Sequence, residues 1–447
     1  MATQFSIKDG IPWKKRFFTI WTGQAISLLG SQLVGFAVIW YLTVTTGSAT
    51  VLAISSMVGM LPSVVLGPFI GPLVDRWDRK KTMLVADGVV ALATLALALM
   101  FAFTDVQIWQ IYLVLFIRAV AGGFHGNSMS ASTSLLVPME HLARVQGVNQ
   151  MLNGGLNIIA APLGAILYEA LSLQWILAID VLTAIVAMIA LAFFHIPQPD
   201  RSQSQALSGQ SATYFEDLKA GFRYVWGWKG LLIIALMAAS LNFLLAPTGA
   251  LNPLLVKDHF GGTVLQLGTF NSLFGIGVIL GGLLLGVWGG FKKKILTSMV
   301  GLVLLGTGIL TQGLLPSDMF NYSLIAAGLT GFALPIVNGT IGAIMQSSVA
   351  PDMQGRVFAL LGSLSGAMAP IGLAIAGPIS DVIGIQAWFR IAGIFCAAMG
   401  FVGLMIPAVV NVETNNMNVQ SVSGGEEMAK GAGKLVPESM PMPDPEK

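Results

Sequence analysis

An arginine and an aspartate interrupt otherwise apolar sequence: Arg118 in the run from Phe116 to Gly123, and Asp180 between Ile179 and Val181. A charge in such surroundings is costly unless it faces a partner, a cavity or an ion path, so both are functional candidates by default, Asp180 for proton coupling. The competing role for Arg118 is structural, with its guanidinium held by backbone carbonyls. Asp180 lies either in the hydrocarbon, where a carboxyl can exchange protons, or near a membrane face, where it bridges helices. A denser group of charges spans Gly71-Pro-Leu-Val-Asp75-Arg76-Trp-Asp-Arg79-Lys80-Lys81, and Asp87 beyond it reads as part of the same cluster. Among neutral groups, Asn149, Asn153 and Asn157 recur every fourth residue and so share one helix face. Such a stripe suits either a substrate cavity or hydrogen bonds between helices. Gln24, Gln32 and Asn242 are isolated counterparts, and Met57 and Met60 serve either core packing or adaptable ligand contacts. The sequence lacks H-E-x-x-H, a G-x-S-x-G elbow in a suitable context and a Walker loop, and its histidines stand only at 125, 141, 195 and 259. No enzyme, metal or cofactor is therefore expected. Any uphill work must draw on an ion gradient or on the substrate's own.

The elements that position these groups follow from composition. Of 447 residues, 55% are hydrophobic and 10% charged, against roughly 25% charged in a soluble domain. Runs long enough to cross a bilayer as helix, about 20 residues, recur at 17–44, 49–74, 82–103, 108–134, 145–169 and 174–195, then at 231–256, 264–290, 295–315, 321–349, 357–383 and 387–410. The expected fold is all-α and polytopic, with twelve transmembrane helices in two six-helix units (17–195 and 231–410). An N-terminal segment (1–16) precedes them, a hydrophilic linker (196–230) joins them, and a polar tail (411–447) follows, expected to be disordered. Phe215, Leu218, Phe222 and Val225 recur at helical spacing in the linker, which reads as a short interfacial helix or a solvated connector. Trp21, Trp40, Trp109, Trp175, Trp288 and Trp388 fall near span ends, where indole suits the headgroup boundary, and Asp381 is expected at an outer end.

Placing the N-terminus in the cytoplasm puts all but Arg118, Lys257 and Arg390 of the 23 Lys and Arg residues on cytoplasmic segments, as the positive-inside rule requires. The C-terminus is then cytoplasmic too. The halves also echo each other. Val137-Pro138 with Arg144-Val145 matches Ala350-Pro351 with Arg356-Val357, and Ala161-Pro-Leu-Gly164 matches Ala369-Pro-Ile-Gly372. Two parallel repeats place a substrate site near the midplane between them.

The run from Gly71 to Lys80 resembles the signature loop G-x-L-x-D-R-x-x-R-[KR] of the major facilitator superfamily. By that resemblance Gly71, Asp75, Arg76, Arg79 and Lys80 form a gate that holds the transporter outward-facing until it breaks. The corresponding loop of the second half, Gly289-Gly-Phe-Lys-Lys-Lys294, lacks the acid. Arg118 with Gly122 is similar to a span 4 pattern associated with proton transfer in drug:proton antiporters. Further runs, among them Phe18-Thr-Ile-Trp-Thr-Gly-Gln-Ala25, Leu115-Phe-Ile-Arg118, Ala178-Ile-Asp-Val-Leu182 and Gly355-Arg-Val-Phe358, look like macrolide efflux proteins of the drug:proton antiporter-3 family. The resemblance implies a monomeric, proton-coupled exporter of a bulky hydrophobic compound in the bacterial inner membrane, without nucleic-acid partners. A siderophore or metabolite exporter on the same scaffold is the alternative. A membrane-embedded sensor or enzyme would need a catalytic cluster at one membrane face.

Overall fold

The computed structural model describes residues 12–194, 196 and 214–413. The expected disordered tail from residue 414 onward, residue 195, residues 197–213 of the polar linker and the first eleven residues lie outside the described residues.

Hydrocarbon offers no partner for a bare N–H or C=O, so each apolar run satisfies its own backbone as helix. The first unit comprises α1 (Trp13–Thr46), α2 (Ala49–Arg76), α3 (Arg79–Phe103), α4 (Ile108–Leu136), α5 (Met139–Ala170) and α6 (Leu173–Phe193). After α7 (Tyr214–Gly227) comes the second: α8 (Lys229–Leu254), prolonged by a π-helical turn (Leu255–His259), α9 (Val264–Trp288), α10 (Lys294–Leu314), α11 (Phe320–Ser348), α12 (Pro351–Ile383) and α13 (Ile385–Met405), then a short α14 (Pro407–Val410). Among the described residues, 12 helices are long and apolar enough to cross a membrane.

Several helices outrun their apolar cores. Both α5 and α12 start about six residues before the expected spans, behind Pro138 and with Pro351 in the first turn, because a proline's missing N–H costs nothing there. The last expected span ends early instead. Its helix stops at Met405 and restarts at Pro407, since the residue before a proline disfavours the helical region.

Within the first bundle α1 packs on α5 and α6, α3 on α4 and α6, and α2 on α4. In the second, α8 packs on α12 and α13, α10 on α11 and α13, and α9 on α11, which is the same arrangement one repeat later. The bundles meet along two seams, α2 with α12 and α5 with α9, and these also exchange under the repeat. Large apolar side chains such as Val287 (90% exposed) and Phe193 (81% exposed) point outward, as lipid-facing surface must.

The linker helix is confirmed as α7. It packs against α12 and α8, with Val225 buried beside Leu231, Met345 and Val357. Two tryptophans depart from the anchoring role: Trp40 and Trp388 are buried, and the Trp388 indole N–H donates to the Leu244 carbonyl at 3.4 Å. Their ring area is large enough that packing wins over the interface.

Candidate functional site

Three adjoining cavities of about 390, 330 and 360 Å³ are lined by the second bundle; α1 and α5 also line the first and Met60 of α2 the third, whereas the second lies within the second bundle. The first two share Asn271 and Phe274, and the last two share Leu245, Leu305 and Leu334. They form one chamber walled by α1, α2 and α5 from the first unit and by α8 to α13 from the second. Its polar side chains are neutral: Gln32 and Asn157 beside Asn271, then Asn252 and Gln312 with Thr248 and Thr330, then Asn242 and Asn338. Among the described residues no charged side chain lines it. Apolar walls with a few placed amides are what a drug-sized ligand site requires.

The amide stripe on α5 therefore divides. Asn157 lines the chamber. Asn149 accepts a 2.7 Å bond from the Trp21 indole and so ties α5 to α1, while Asn153 is exposed. Gln24 leaves the candidate cavity set altogether, because its amide donates to Asp87 within the first bundle. Asn252, Asn271, Gln312 and Asn338 escaped the sequence reading. Their signal was an amide in an apolar span, present at each of them but without periodicity.

Asp180 is only 1% exposed and lies inside the first bundle. Its Oδ2 lies 2.5 Å from Arg118 Nη1 and 3.3 Å from the Thr94 hydroxyl, and its Oδ1 accepts from Ser31 at 3.0 Å. Arg118 also bonds the Thr94 hydroxyl. The helices come close enough because residue 30 is glycine: a Cβ there would stand 3.2 Å from the Asp180 Cα. Four helices converge on this buried pair, so it is a cross-brace whose two charges depend on each other.

Asp87 does not join the loop's charges. It is buried on α3, with Oδ1 3.4 Å from His125 Nε2 and Oδ2 3.2 Å from the Gln24 amide. His125 was missed, although its spacing from Arg118 puts both on one face of α4.

In the loop, Arg79 is buried, donates to the Ala131 carbonyl at 2.9 Å and lies 3.5 Å from the exposed Asp75. Lys80 donates to the Ala192 carbonyl at 2.7 Å. These bonds fasten the start of α3 to α4 and α6. In the second half the missing acid is replaced from elsewhere: Glu413, beyond α14, accepts from the Ile295 N–H at 2.7 Å in the first turn of α10. At the other end of the molecule Asp381 of α12 reaches across to α2, accepting from the Ala49 and Thr50 N–H groups at 2.6 and 3.0 Å and from the Ser48 hydroxyl at 3.0 Å. The α5–α9 seam closes at this same end, with Gly268 against Pro162 and the Ser272 hydroxyl 3.4 Å from the Ile158 carbonyl.

A further cavity, about 730 Å³, is elsewhere. It lies on the first bundle between α3, α4 and the loop, walled by Val85, Val89, Ile117, Val120 and Phe124. Its exposed apolar rim is a surface that lipid chains would cover. Among the described residues no three His, Cys, Asp or Glu side chains group as metal ligands.

The family model of the Major Facilitator Superfamily matches residues 20–250 and 232–424. The chain belongs to the major facilitator superfamily. Within it, the macrolide efflux protein A of Streptococcus pyogenes is 37% identical over 390 residues, covering 87% of this chain and 95% of that protein. That of Enterococcus faecalis is 36% identical over 328 residues, covering 73% and 100%. The multidrug efflux pump Tap of Mycolicibacterium fortuitum is 24% identical, covering 85% and 92%. Among solved structures, a bacterial homolog of the human lysosomal transporter Spinster superposes with a TM-score of 0.68 at 13% identity, covering 90% of this chain and 98% of that one. The nucleoside transporter NupG gives 0.64 at 18% identity, covering 88% and 98%. These likenesses show the facilitator fold, and the family makes the chain a multi-pass membrane transporter rather than an enzyme.

Proposed function

We propose that this facilitator is a secondary active exporter that expels a bulky, largely apolar, macrolide-like compound by proton antiport, through alternating access of its two bundles. The observation that carries the reading is the uncharged, amide-lined chamber in a chain 37% identical to a macrolide efflux protein. A ligand rich in ether, ester and hydroxyl oxygens finds a donor and an acceptor in each amide, while the apolar walls take its hydrocarbon surface. An anionic siderophore or metabolite would be left with unpaired charge there, which is expensive.

The positive-inside rule supports a cytoplasmic Asp75–Lys81 loop with both termini on that side, in a bacterial inner membrane. In this orientation the contacts around Asp381 and Gly268 seal the external end, and the chain is poised to load from the cytoplasm or inner leaflet. Gly71, Asp75, Arg76, Arg79 and Lys80 then belong to the opposite gate, which closes when the external seal opens. The transporter acts as a monomer with protons and the hydrophobic cargo as its partners.

Accumulation of radiolabelled erythromycin in cells with and without the gene tests the reading. Expression should lower accumulation, and a protonophore should restore it. Equal accumulation across erythromycin and a panel of other apolar drugs would overturn the proposal. Asp75→Asn should slow cycling without abolishing binding, and efflux at the wild-type rate would remove Asp75 from the gate.

A further inference from the structure

We propose that the transported proton is carried by the Asp87–His125 pair in the first bundle, and that the Arg118–Asp180 pair, the more conspicuous one in the sequence, braces the helices instead. The assignment rests on the proton-driven reading above.

The facing surfaces of α3 and α4 carry two polar rungs. One joins Thr94 to Arg118, the other Asp87 to His125. The members are seven residues apart on each helix, hence about two turns or roughly 10 Å along the axis. The rungs differ in what a proton would do to them. Asp180 is held by Arg118, Ser31 and Thr94 at once. Arginine keeps its charge at any pH the cell meets, so protonating Asp180 would strand a cation that is 12% exposed.

The second rung holds no arginine or lysine. Asp87 and His125 sit at ion-pair distance, 3.4 Å, yet His125 Nε2 is buried without a hydrogen-bond partner among the described residues. The single direct bond to the carboxylate, from Gln24, is neutral. An imidazole can take up a second ring proton, and when the Nε2–H bond forms, the charge produced is met by Asp87. When that bond breaks, the proton returns to water and leaves a neutral ring beside a carboxylate still held by Gln24. One proton enters and one leaves, and neither state isolates a buried cation.

The surroundings leave the pair room and few rivals. Gly122 and Gly126 flank His125 on α4; both are exposed, and a Cβ at either would meet nothing within 4 Å. Of the packed elements, α6 contributes only Asp180, and α2 only Asp75 and Arg76 at its end. Helix α1 contributes Lys14, Lys15 and Arg16 at its start, α5 carries Glu140, His141 and Arg144 at one end and Glu169 at the other, and α3 adds Arg79, Lys80 and Lys81. All but Asp180 and Glu169 lie toward the loop end, where a released proton would emerge.

The test uses the full chain in proteoliposomes with radiolabelled erythromycin as probe. Wild type is measured first: uptake that ignores an imposed pH gradient refutes the proton-driven reading itself. If wild type responds, Asp87→Asn and His125→Gln should lose gradient-driven accumulation but retain erythromycin exchange at equal pH on both sides. Exchange without coupling is a result that loss of folding cannot mimic. Wild-type accumulation in either variant overturns the assignment. Should both variants fail to fold, a His141→Gln, His195→Gln, His259→Gln background leaves His125 as the sole histidine for diethyl pyrocarbonate. Loss of accumulation with exchange retained supports the pair, and unchanged accumulation after full modification rejects it.

Discussion

Removing Asp381 should loosen one end of the molecule selectively. Its carboxylate, on α12, accepts from two backbone N–H groups and the Ser48 hydroxyl at the start of α2. The first turn of α2 has no acid of its own, so a residue of the opposite bundle supplies the anion that the helix N-terminus favours. In a buried site such charge-assisted bonds contribute about 1.5–3 kcal/mol each. Asp381 is exposed, and solvent screening reduces the whole latch to about 1–2 kcal/mol. Because these bonds exist only while the bundles touch at this end, the loss falls on one conformer. Asp381→Ala should shift the closed-to-open ratio about 5- to 30-fold. Asp381→Asn, which keeps an acceptor oxygen, should shift it less. Double electron–electron resonance between spin labels at Trp109 (62% exposed) and Tyr322 (60% exposed), on opposite bundles, reads this ratio in a Cys396→Ala background. Distance distributions unchanged in the alanine variant would refute the latch.

Breaking the buried brace by Arg118→Met or Asp180→Leu alone should cost about 3–5 kcal/mol, whereas the double variant should recover most of the loss; thermal unfolding in detergent measures all three. Gly30→Ala puts a methyl against the Asp180 backbone and the Thr183 hydroxyl, and the overpacking should lower stability by about 1–3 kcal/mol in the same assay. Asn271→Ala, altering a residue shared by two chamber cavities, should raise the KM for erythromycin by about 3- to 10-fold, from the loss of one hydrogen bond. Asn149→Ala should leave that KM unchanged and instead lower stability, since it deprives Trp21 of its acceptor.

Much of the fold could be read from the chain because lipid makes strong local demands. Whether a segment lies in hydrocarbon depends on its own apolar length and charge, so twelve spans, two repeats and an amphipathic linker helix were legible before any helix was packed. The gate-like loop was legible too, since its glycine, acid and bases are contiguous. Partners were not. Periodicity names the face on which Asn149 and Asn157 sit, but only the rotation and approach of neighbouring helices send one to Trp21 and the other into the chamber. Asp87 looked like part of the loop and instead meets His125 and Gln24. Glu413 restores an acid that its own repeat lacks, from the far end of the described chain. The sequence by itself determined which residues enter the membrane, because that is a property of each segment. Tertiary structure alone decided which buried polar groups touch, because that distance is set by the small residues, such as Gly30, on which two helices close.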